Sequence, residues 1–241
     1  QGIVTSQLEL ALAYYHLGRF GESYRYLDYI SENHEDYLKK NNAFHLKYTE
    51  LKGKVYLWQG LKVQARTEFF KQLKLASNIK NEDTRNLYEL KAYALLGIDP
   101  EYDSAHYYLK KALSYRSKIK DQSEFILTYS NLSNYFLENQ NNIDSAIYYN
   151  NMAMELAKKI NSRHLFIVLL QKGKIAGLQN QPEASLNHSF EALQLVKKNN
   201  RGQEMLIAYK MIADMYGELK NYKDKARYLT LYQETKDSLY N

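Results

Sequence analysis

Apolar residues recur at helical spacing in six segments of the chain that share one pattern. Each segment reads as a helix that contains a small residue, a short polar turn, and a second helix that opens with a small residue. The segments span residues 10–27, 51–70, 90–113, 132–156, 171–195 and 212–232. Apolar positions at i, i+3, i+4 and i+7 are typical of amphipathic helices, and a pattern that returns after about 40 residues indicates a helical repeat architecture.

Small residues open all six predicted second helices. They are Ser23, Ala65, Ala105, Ala146, Ser185 and Ala226. The matching small residues of the first helices are Gly53, Ser133, Gly173 and Ala213. Small side chains let two antiparallel helices approach to about 8–10 Å, so we predict an all-α fold of about six antiparallel helix pairs. The predicted repeats cover roughly 5–40, 42–78, 82–120, 122–161, 163–200 and 202–241 of a single domain, 1–241.

The composition agrees with long helices and excludes several classes of site. Only 2 prolines and 10 glycines occur in 241 residues, so few breaks are expected. The 24 tyrosines provide apolar area but need a partner or water for each hydroxyl, which predicts half-exposed positions between helices. The chain has no cysteine, and this excludes disulfides, thiol nucleophiles and thiolate metal sites.

The net charge of +6 comes from 33 basic and 27 acidic residues with interspersed signs. Nucleic-acid-binding domains usually concentrate Lys and Arg on one face. Here four dibasic pairs each follow an apolar helical pattern, where cations complement the helix dipole. The pairs are Lys39-Lys40, Lys110-Lys111, Lys158-Lys159 and Lys197-Lys198. We therefore expect no nucleic-acid partner for this chain, and a basic footprint for DNA or lipid is the alternative.

No arrangement of residues in the sequence is typical of catalysis. The six histidines are scattered without an i, i+4 pair, and neither a G-x-S-x-G elbow nor a phosphate-binding G-x-x-x-x-G-K-[ST] loop occurs. Acid pairs such as Glu35-Asp36 and Glu82-Asp83 lie where predicted helices begin, and acids there complement the dipole. We predict no catalytic residue, no metal and no cofactor.

The six segments share an order of residues: Leu-Gly-x-x-Tyr, then Gly-x-Tyr or Phe, then Ala, then Tyr or Phe, then Ala-Leu. This order resembles the tetratricopeptide repeat, most closely in repeats 1, 2, 5 and 6. Insertions at Ile98–Glu101 and Asn139–Asn142 loosen the match in repeats 3 and 4. The resemblance implies an α-solenoid, a right-handed superhelix whose first helices line a concave groove. The period near 40 exceeds the standard 34, which helices longer by about one turn explain.

The resemblance also implies that the groove binds a peptide or a protein partner. Its register places twelve side chains on the groove wall: Tyr15, His16, Lys47, Glu50, Lys54, Trp58, Ser130, Asn134, Glu138, Lys174, Lys210 and Asp214. Lys and Asn do not follow the successive arrangement of repeat domains that clamp a peptide carboxylate. Trp58 either packs against the next unit or is an aromatic anchor for a ligand. Asn134 and Lys174 are either solvated side chains or the polar contacts of the groove.

The segment YLTLYQETKDSLYN (228–241) resembles a junction in membrane-bound regulators of Bacteroidetes. There the repeats are followed by a coiled coil, a membrane span and a cytoplasmic output of the histidine-kinase or helix-turn-helix class. The resemblance implies a trimmed sensor domain of a signalling or transcriptional regulator, located in the periplasm or otherwise outside the cytoplasmic membrane. No stretch approaches the ~18 apolar residues of a membrane span, so the membrane is expected only through a missing downstream segment. Exposed tyrosines in the last repeat allow a homodimer.

Two other functions stay open from the sequence alone. In the first, the chain is a cytoplasmic peptide receptor or assembly scaffold, whose groove asparagines bind the backbone of an extended peptide. Asn134 fits this function, but asparagines at equivalent positions of neighbouring repeats are missing. In the second, the chain is an enzyme such as a hydrolase built on helical repeats, for which no nucleophile–base spacing is present. We favour the sensor, in which ligand binding changes the curvature of the superhelix and the last helix transmits the change.

Overall fold

The computed structural model describes residues 2–198 and 201–240, apart from the side chain of Tyr240. This part of the chain forms thirteen α-helices and one 3-10 turn at Gln122–Phe125, and it contains no strand. The helices are α1 (Gly2–His16), α2 (Phe20–Asn33), α3 (Glu35–Lys40), α4 (Asn42–Trp58), α5 (Lys62–Ala76), α6 (Glu82–Leu96), α7 (Ala105–Leu113), α8 (Ile126–Glu138), α9 (Ile143–Lys159), α10 (Leu165–Leu178), α11 (Pro182–Lys198), α12 (Gly202–Glu218) and α13 (Tyr222–Tyr240). The all-α prediction is therefore confirmed.

Neighbouring helices pack in pairs, and the short helix α3 is an addition between the first two pairs. The chain divides into two compact units, the first ending at Asp121 and the second beginning at Gln122. Unit 1 contains the pairs α1–α2, α4–α5 and α6–α7, and unit 2 contains α8–α9, α10–α11 and α12–α13. The sequence predicts one continuous domain, whereas the contacts of the described residues group the helices into these two units.

Five of the six turns within the pairs contain a residue in the left-handed region. The residues are Gly18 (φ 76°), Gly60 (77°), Asn141 (47°), Asn180 (59°) and Lys220 (57°). A left-handed residue after a helix lets the next backbone N–H return to a carbonyl of the last turn. The N–H of Arg19 donates to Tyr14 O at 2.9 Å, and that of Asn221 donates to Tyr216 O at 2.9 Å. The backbone thus reverses within a few residues and brings the two helices together.

The predicted small anchors are fully buried in five pairs but not in the last one. Ser23, Ala65, Ala105, Ala146 and Ser185 all have 0% exposure. Ala226 is exposed, so its assignment is wrong. In each of the five turns that contain a left-handed residue, the anchor position lies five residues after that residue. In the last pair, the residue five positions after Lys220 is Lys225. Its Nζ lies 3.1 Å from the point that a Cβ on Gly217 would occupy.

Serines bridge the two helices of a pair at this small-residue contact. In the first pair, the Ser23 hydroxyl on α2 donates to Ala11 O on α1 at 2.7 Å. In the fourth pair the roles are exchanged, since the Ser133 hydroxyl on α8 donates to Ala146 O on α9 at 2.9 Å. All four residues are buried. The close approach therefore provides both packing and a buried hydrogen bond, which contributes about 1 kcal/mol.

Tyrosines fill much of the space between helices, at half-buried positions. Tyr14 stacks on Tyr26 with ring centroids 5.5 Å apart, and Tyr24 of the first pair meets Tyr56 of the second at 5.8 Å. Burial raises the pKa of Tyr56 to about 12. Such rings provide apolar contact while the hydroxyl reaches a polar edge, which accounts for the tyrosine-rich composition.

The insertion in repeat 3 binds back to the preceding repeat through ion pairs. Asp99, 9% exposed, accepts from Lys62 Nζ at 3.0 Å and from Arg66 Nη1 at 3.3 Å. Lys62 also contacts the exposed Glu101 at 3.0 Å. The Arg66 guanidinium lies 4.4 Å from the ring centroid of Tyr102. These contacts hold the long α6–α7 connection against α5, where the repeat pattern of the sequence is weakest.

The dibasic pairs lie in the last turns of helices, as the dipole argument predicts. Lys39-Lys40 end α3, Lys110-Lys111 lie in the last turn of α7, Lys158-Lys159 in that of α9, and Lys197-Lys198 in that of α11. The cations thus complement the unsatisfied carbonyl groups of those turns. Their positions in the structure agree with a helix-terminal role.

Candidate functional site

All twelve side chains predicted for the groove wall lie on the first helices of their pairs. Six belong to unit 1, on α1 and α4, and six belong to unit 2, on α8, α10 and α12. In unit 1 the structure pairs Glu50 with Lys54 and Trp58 with Tyr15, and in unit 2 it pairs Glu138 with Lys174.

One face of α4 carries the largest group of predicted residues. Lys47, Glu50, Lys54 and Trp58 follow one another at spacings of three or four residues, which places them on the same side of a helix. We call this set the α4 face. At 1.5 Å per residue it extends for about 16 Å, roughly the length of five residues of extended chain.

Glu50 and Lys54 form an ion pair in the middle of the α4 face. Their side chains are only 17% and 31% exposed, respectively. Burial disfavours the charged form of Glu50, but the attraction of Lys54 and Lys91 outweighs it and holds the pKa of this carboxyl below its ordinary value of 4.5. Glu50 is therefore an ionised carboxylate that is held between two lysines on neighbouring first helices.

Two residues on α6 complete this region, and the sequence analysis missed both. They are Tyr88 and Lys91, which are half-buried and lie one helical turn apart. Burial raises the pKa of the Tyr88 hydroxyl, and the negative charge of Glu50 raises it further. Lys91 attracts the same carboxylate. The insertion after Ile98 hides the register of repeat 3 in the sequence, although Lys91 follows Glu50 by about one repeat period.

Trp58 lies at the end of the α4 face and packs on the preceding helix pair. Its ring stacks on Phe20 of α2, with centroids 5.1 Å apart and planes inclined by 15°. Its Nε1 donates to the Tyr15 hydroxyl on α1 at 3.2 Å. The side chain remains 39% exposed. Trp58 therefore packs on a neighbouring unit, but on the pair before it and not on the next one, because Phe20 and Tyr15 belong to the first pair. Part of the ring therefore remains accessible, and His16 on α1 is also exposed.

In unit 2, one ion pair connects two neighbouring first helices. Glu138 at the end of α8 pairs with Lys174 on α10, and the two side chains are 42% and 41% exposed. Asn134 lies half-buried one turn earlier on α8. Lys210 and Asp214 are exposed on α12. Asn134, Lys210 and Asp214 thus lie on the predicted first helices, and the ion pair itself is formed by Glu138 and Lys174.

Ser130 differs from its predicted place on the groove wall. It is 1% exposed, because α10 packs over it and the Gln171 side chain donates from Nε2 to Ser130 O at 2.9 Å. Position 130 is equivalent to Glu50 of the second pair, where the longer side chain reaches the surface. Ser130 is too short to do so and contributes to packing.

Neither a metal site nor a membrane span is found in the described ranges 2–198 and 201–240. No three His, Asp or Glu side chains among them lie close enough together to share a metal ion. No helix in these ranges is both long and apolar enough to cross a bilayer.

Comparison with known proteins identifies the fold but not a family. No protein-family model matches the sequence, and no curated protein sequence matches it. Among solved structures the chain is similar to BtubC (BKLC) from P. vanneervenii, with a TM-score of 0.59 and 11% sequence identity. The match covers 94% of this chain and 91% of that chain. A likeness at this identity shows the helical fold alone.

The groups on the α4 face are suited to binding. Lys54 pairs with Glu50, Lys91 of the neighbouring α6 attracts the same carboxylate, and Lys47 lies about one turn before Glu50 on the same side of α4. The Trp58 ring offers apolar area at one end, and aromatic side chains of this kind commonly anchor partners.

Proposed function

We propose that the chain is a non-enzymatic interaction domain that binds a peptide or an extended protein segment on the α4 face of unit 1. The half-buried Glu50–Lys54 pair next to the exposed ring of Trp58 supports this proposal most directly. An ordered ion pair presents fixed donors and acceptors at low entropic cost. A half-exposed tryptophan provides the apolar contact that concentrates binding energy in a few residues.

The chemistry of the face indicates the kind of ligand. Lys47, Lys54 and Lys91 outnumber Glu50, so the region is positive and favours a partner segment that contains Asp or Glu. An apolar side chain of the same segment contacts Trp58. The length of the face accommodates about five extended residues, with the acidic group toward Lys47 and the apolar group toward Trp58.

We further propose that the chain is a tetratricopeptide-repeat sensor region of a membrane-bound signalling or transcriptional regulator, located outside the cytoplasmic membrane. The support is the repeat pattern of the sequence and the segment YLTLYQETKDSLYN with its resemblance to Bacteroidetes regulators. The part of this segment that the structure describes belongs to the continuous helix α13. In this proposal the ligand favours one of two arrangements of the repeats, and α13 carries the difference onward.

The reading frame around the chain tests the location. An export signal upstream and an apolar span downstream are the expected result for the regulator. A frame without either, or one with an N-terminal helix-turn-helix, contradicts it and leaves a cytoplasmic peptide receptor or scaffold.

A peptide-display selection tests the binding function. The purified protein is used to select peptides from a random library, and the affinities of enriched peptides are then measured for three variants. We expect Lys54→Ala and Trp58→Ala each to weaken binding about tenfold or more, which corresponds to about 1.4 kcal/mol. The control is Val63→Ala, an exposed residue on α5, which should bind like the unmodified protein. Equal affinity of all three variants would contradict the assignment of the α4 face.

A further inference from the structure

Helix α13 packs against its neighbours on one side only. It is 19 residues long, and none of its described side chains is buried. On the packed side, the Tyr228 ring stacks on Tyr216 of α12 at 5.7 Å. Near the other end, Leu239 lies 2.8 Å from the point that a Cβ on Gly202 would occupy. The opposite side of α13 is exposed from Tyr222 to Ser238.

The exposed side of α13 has the spacing of a helix–helix seam. The residues at its centre alternate at intervals of four and three, and we call them the stripe: Tyr222, Ala226, Leu229, Gln233 and Lys236. All five are exposed, with Tyr222 at 67% and Leu229 at 43%. A 4-3 repeat keeps one set of side chains facing a partner helix, and the apolar members occupy the first half of the stripe.

A second row beside the stripe divides its charges between the two halves of the helix. This flank consists of Lys223, Arg227, Thr230, Glu234 and Asp237, all exposed. Its basic residues lie near the N-terminus of α13 and its acidic residues near the C-terminus. That order is opposite to the one that a helix dipole favours, so these charges do not stabilise the isolated helix.

We propose that the exposed side of α13 binds the same side of a second copy of this chain, with the two helices antiparallel. A two-fold axis at Thr230 sets Lys223 of one copy level with Asp237 of the other. The same axis sets Arg227 beside Glu234, and each contact occurs twice, as in every isologous interface. Leu229 then meets Leu229 at the centre, and the oppositely charged helix ends lie side by side.

An antiparallel arrangement follows from the charges. In a parallel pair the two-fold axis runs along the helices, so the flanks of the two copies lie on opposite edges of the seam and their charges do not meet. A parallel pair therefore lacks the contacts of Lys223 with Asp237 and of Arg227 with Glu234, and complementary charges of this kind fix the orientation of partners. The flank therefore selects one direction for the second helix.

The contact involves one helix from each copy and is smaller than the roughly 800 Å² per partner of a standard stable interface. The dimer should therefore depend on protein concentration. It should also weaken with salt, because exposed charges are screened within about 8 Å at physiological ionic strength. The proposal is independent of what the α4 face of unit 1 binds.

Site-directed cross-linking tests the geometry, since the chain contains no cysteine. In Thr230→Cys the new thiols lie next to the axis, and a short bismaleimide should join two copies. In Lys236→Cys, a residue of the stripe, antiparallel pairing separates the thiols by roughly 20 Å along the helices at 1.5 Å per residue. We expect a cross-linked dimer for the first variant alone. Cross-linking of both variants would indicate a parallel pair, and cross-linking of neither would overturn the interface.

Charge exchange tests the recognition in solution by sedimentation. The variant Lys223→Glu with Arg227→Glu has an entirely acidic flank, and the variant Glu234→Lys with Asp237→Lys has an entirely basic one. We expect each variant alone to dimerise at least tenfold more weakly than the unmodified protein, and an equimolar mixture to form a heterodimer. All four positions are exposed, so both variants should fold. An unmodified protein that stays monomeric at high concentration, or variants that dimerise unchanged, would contradict the proposal.

Discussion

Trp58 lies flat on Phe20, with ring centroids 5.1 Å apart and planes inclined by 15°. This stack joins the second helix pair of unit 1 to the first. The indole N–H reinforces it by donating to the Tyr15 hydroxyl at 3.2 Å. Because 39% of the tryptophan remains exposed, the same side chain is held by the fold and is available to a partner.

Replacing Trp58 should therefore affect stability as well as binding. Trp58→Ala loses an aromatic pair worth about 0.5–1.5 kcal/mol and a hydrogen bond worth about 1 kcal/mol. Tyr15→Phe removes only the hydrogen bond, and Trp58→Phe keeps a ring on Phe20. Urea unfolding should rank the loss in free energy of unfolding as largest for Trp58→Ala. An equal loss in Trp58→Ala and Tyr15→Phe would show that the stack contributes nothing.

Gly53 should tolerate a larger residue poorly. A Cβ at this position overlaps the ring of Phe69, whose Cδ1 would be 2.9 Å away, and that ring is fully buried. Gly53→Ala should lower the free energy of unfolding by about 1–3 kcal/mol through overpacking.

Gly21 provides the matched control for Gly53. It lies in α2, where an added Cβ meets nothing within 4 Å, so Gly21→Ala should raise stability by up to about 1 kcal/mol. Thermal unfolding of the two variants gives shifts of opposite sign. A neutral Gly53→Ala would mean that the small-residue contact does not limit the approach of α4 and α5.

The sequence predicted the helix pairs well because the residue pattern that defines them is local. A small residue near the start of a second helix and a left-handed turn before it are both visible as residue types. The prediction failed at Ala226 because alanine is a good anchor by size, whereas the backbone places Lys225 at the contact with Gly217. The turn at Lys220 (φ 57°) sets the register there, and a lysine in that conformation gives no signal in the sequence.

The candidate site was predictable only in part, because it depends on contacts between repeats. The spacing of Glu50, Lys54 and Trp58 along one helix is readable from the sequence. Two other features depend on how neighbouring pairs pack. Trp58 stacks on Phe20 of the preceding pair, and Lys91 of α6 approaches Glu50. Ser130 shows the same limit, since its burial follows from the contact with Gln171 on α10.

Asp99 should be more important for stability than the neighbouring Glu101. Asp99 is 9% exposed and accepts from both Lys62 and Arg66, whereas the side chain of Glu101 is 80% exposed. Asp99→Ala leaves the guanidinium of Arg66, 22% exposed, without its carboxylate and should cost about 1–3 kcal/mol. Glu101→Ala should cost less than about 1 kcal/mol, as is usual for a surface pair. Chemical denaturation compares them, and equal costs would refute the central role of Asp99.

Stability should fall as the pH drops below about 6.5. Burial lowers the pKa of His45, His106 and His188 below the ordinary value of 6.5. The unfolded chain then binds protons at a higher pH than the folded chain does, so stability is full above 6.5 and is lost as the pH falls toward the folded pKa values.

Titration of the histidine ring protons by NMR measures these pKa values directly. The same decline should appear in the melting temperature between pH 7.5 and 5.5, and His45→Gln should reduce it. Three histidines that titrate at or above 6.5 would contradict the assigned burial effect.

The fluorescence of Trp58 tests the proposed binding site most directly, because it is the chain's single tryptophan. A selected peptide is titrated into the protein while the emission of Trp58 and its quenching by acrylamide are recorded. Binding is measured independently by the anisotropy of a labelled peptide. If the α4 face is the site, emission changes with the same dissociation constant and the quenching decreases as the ring is covered. Saturable binding with unchanged Trp58 emission and quenching would place the ligand elsewhere and contradict the proposed function.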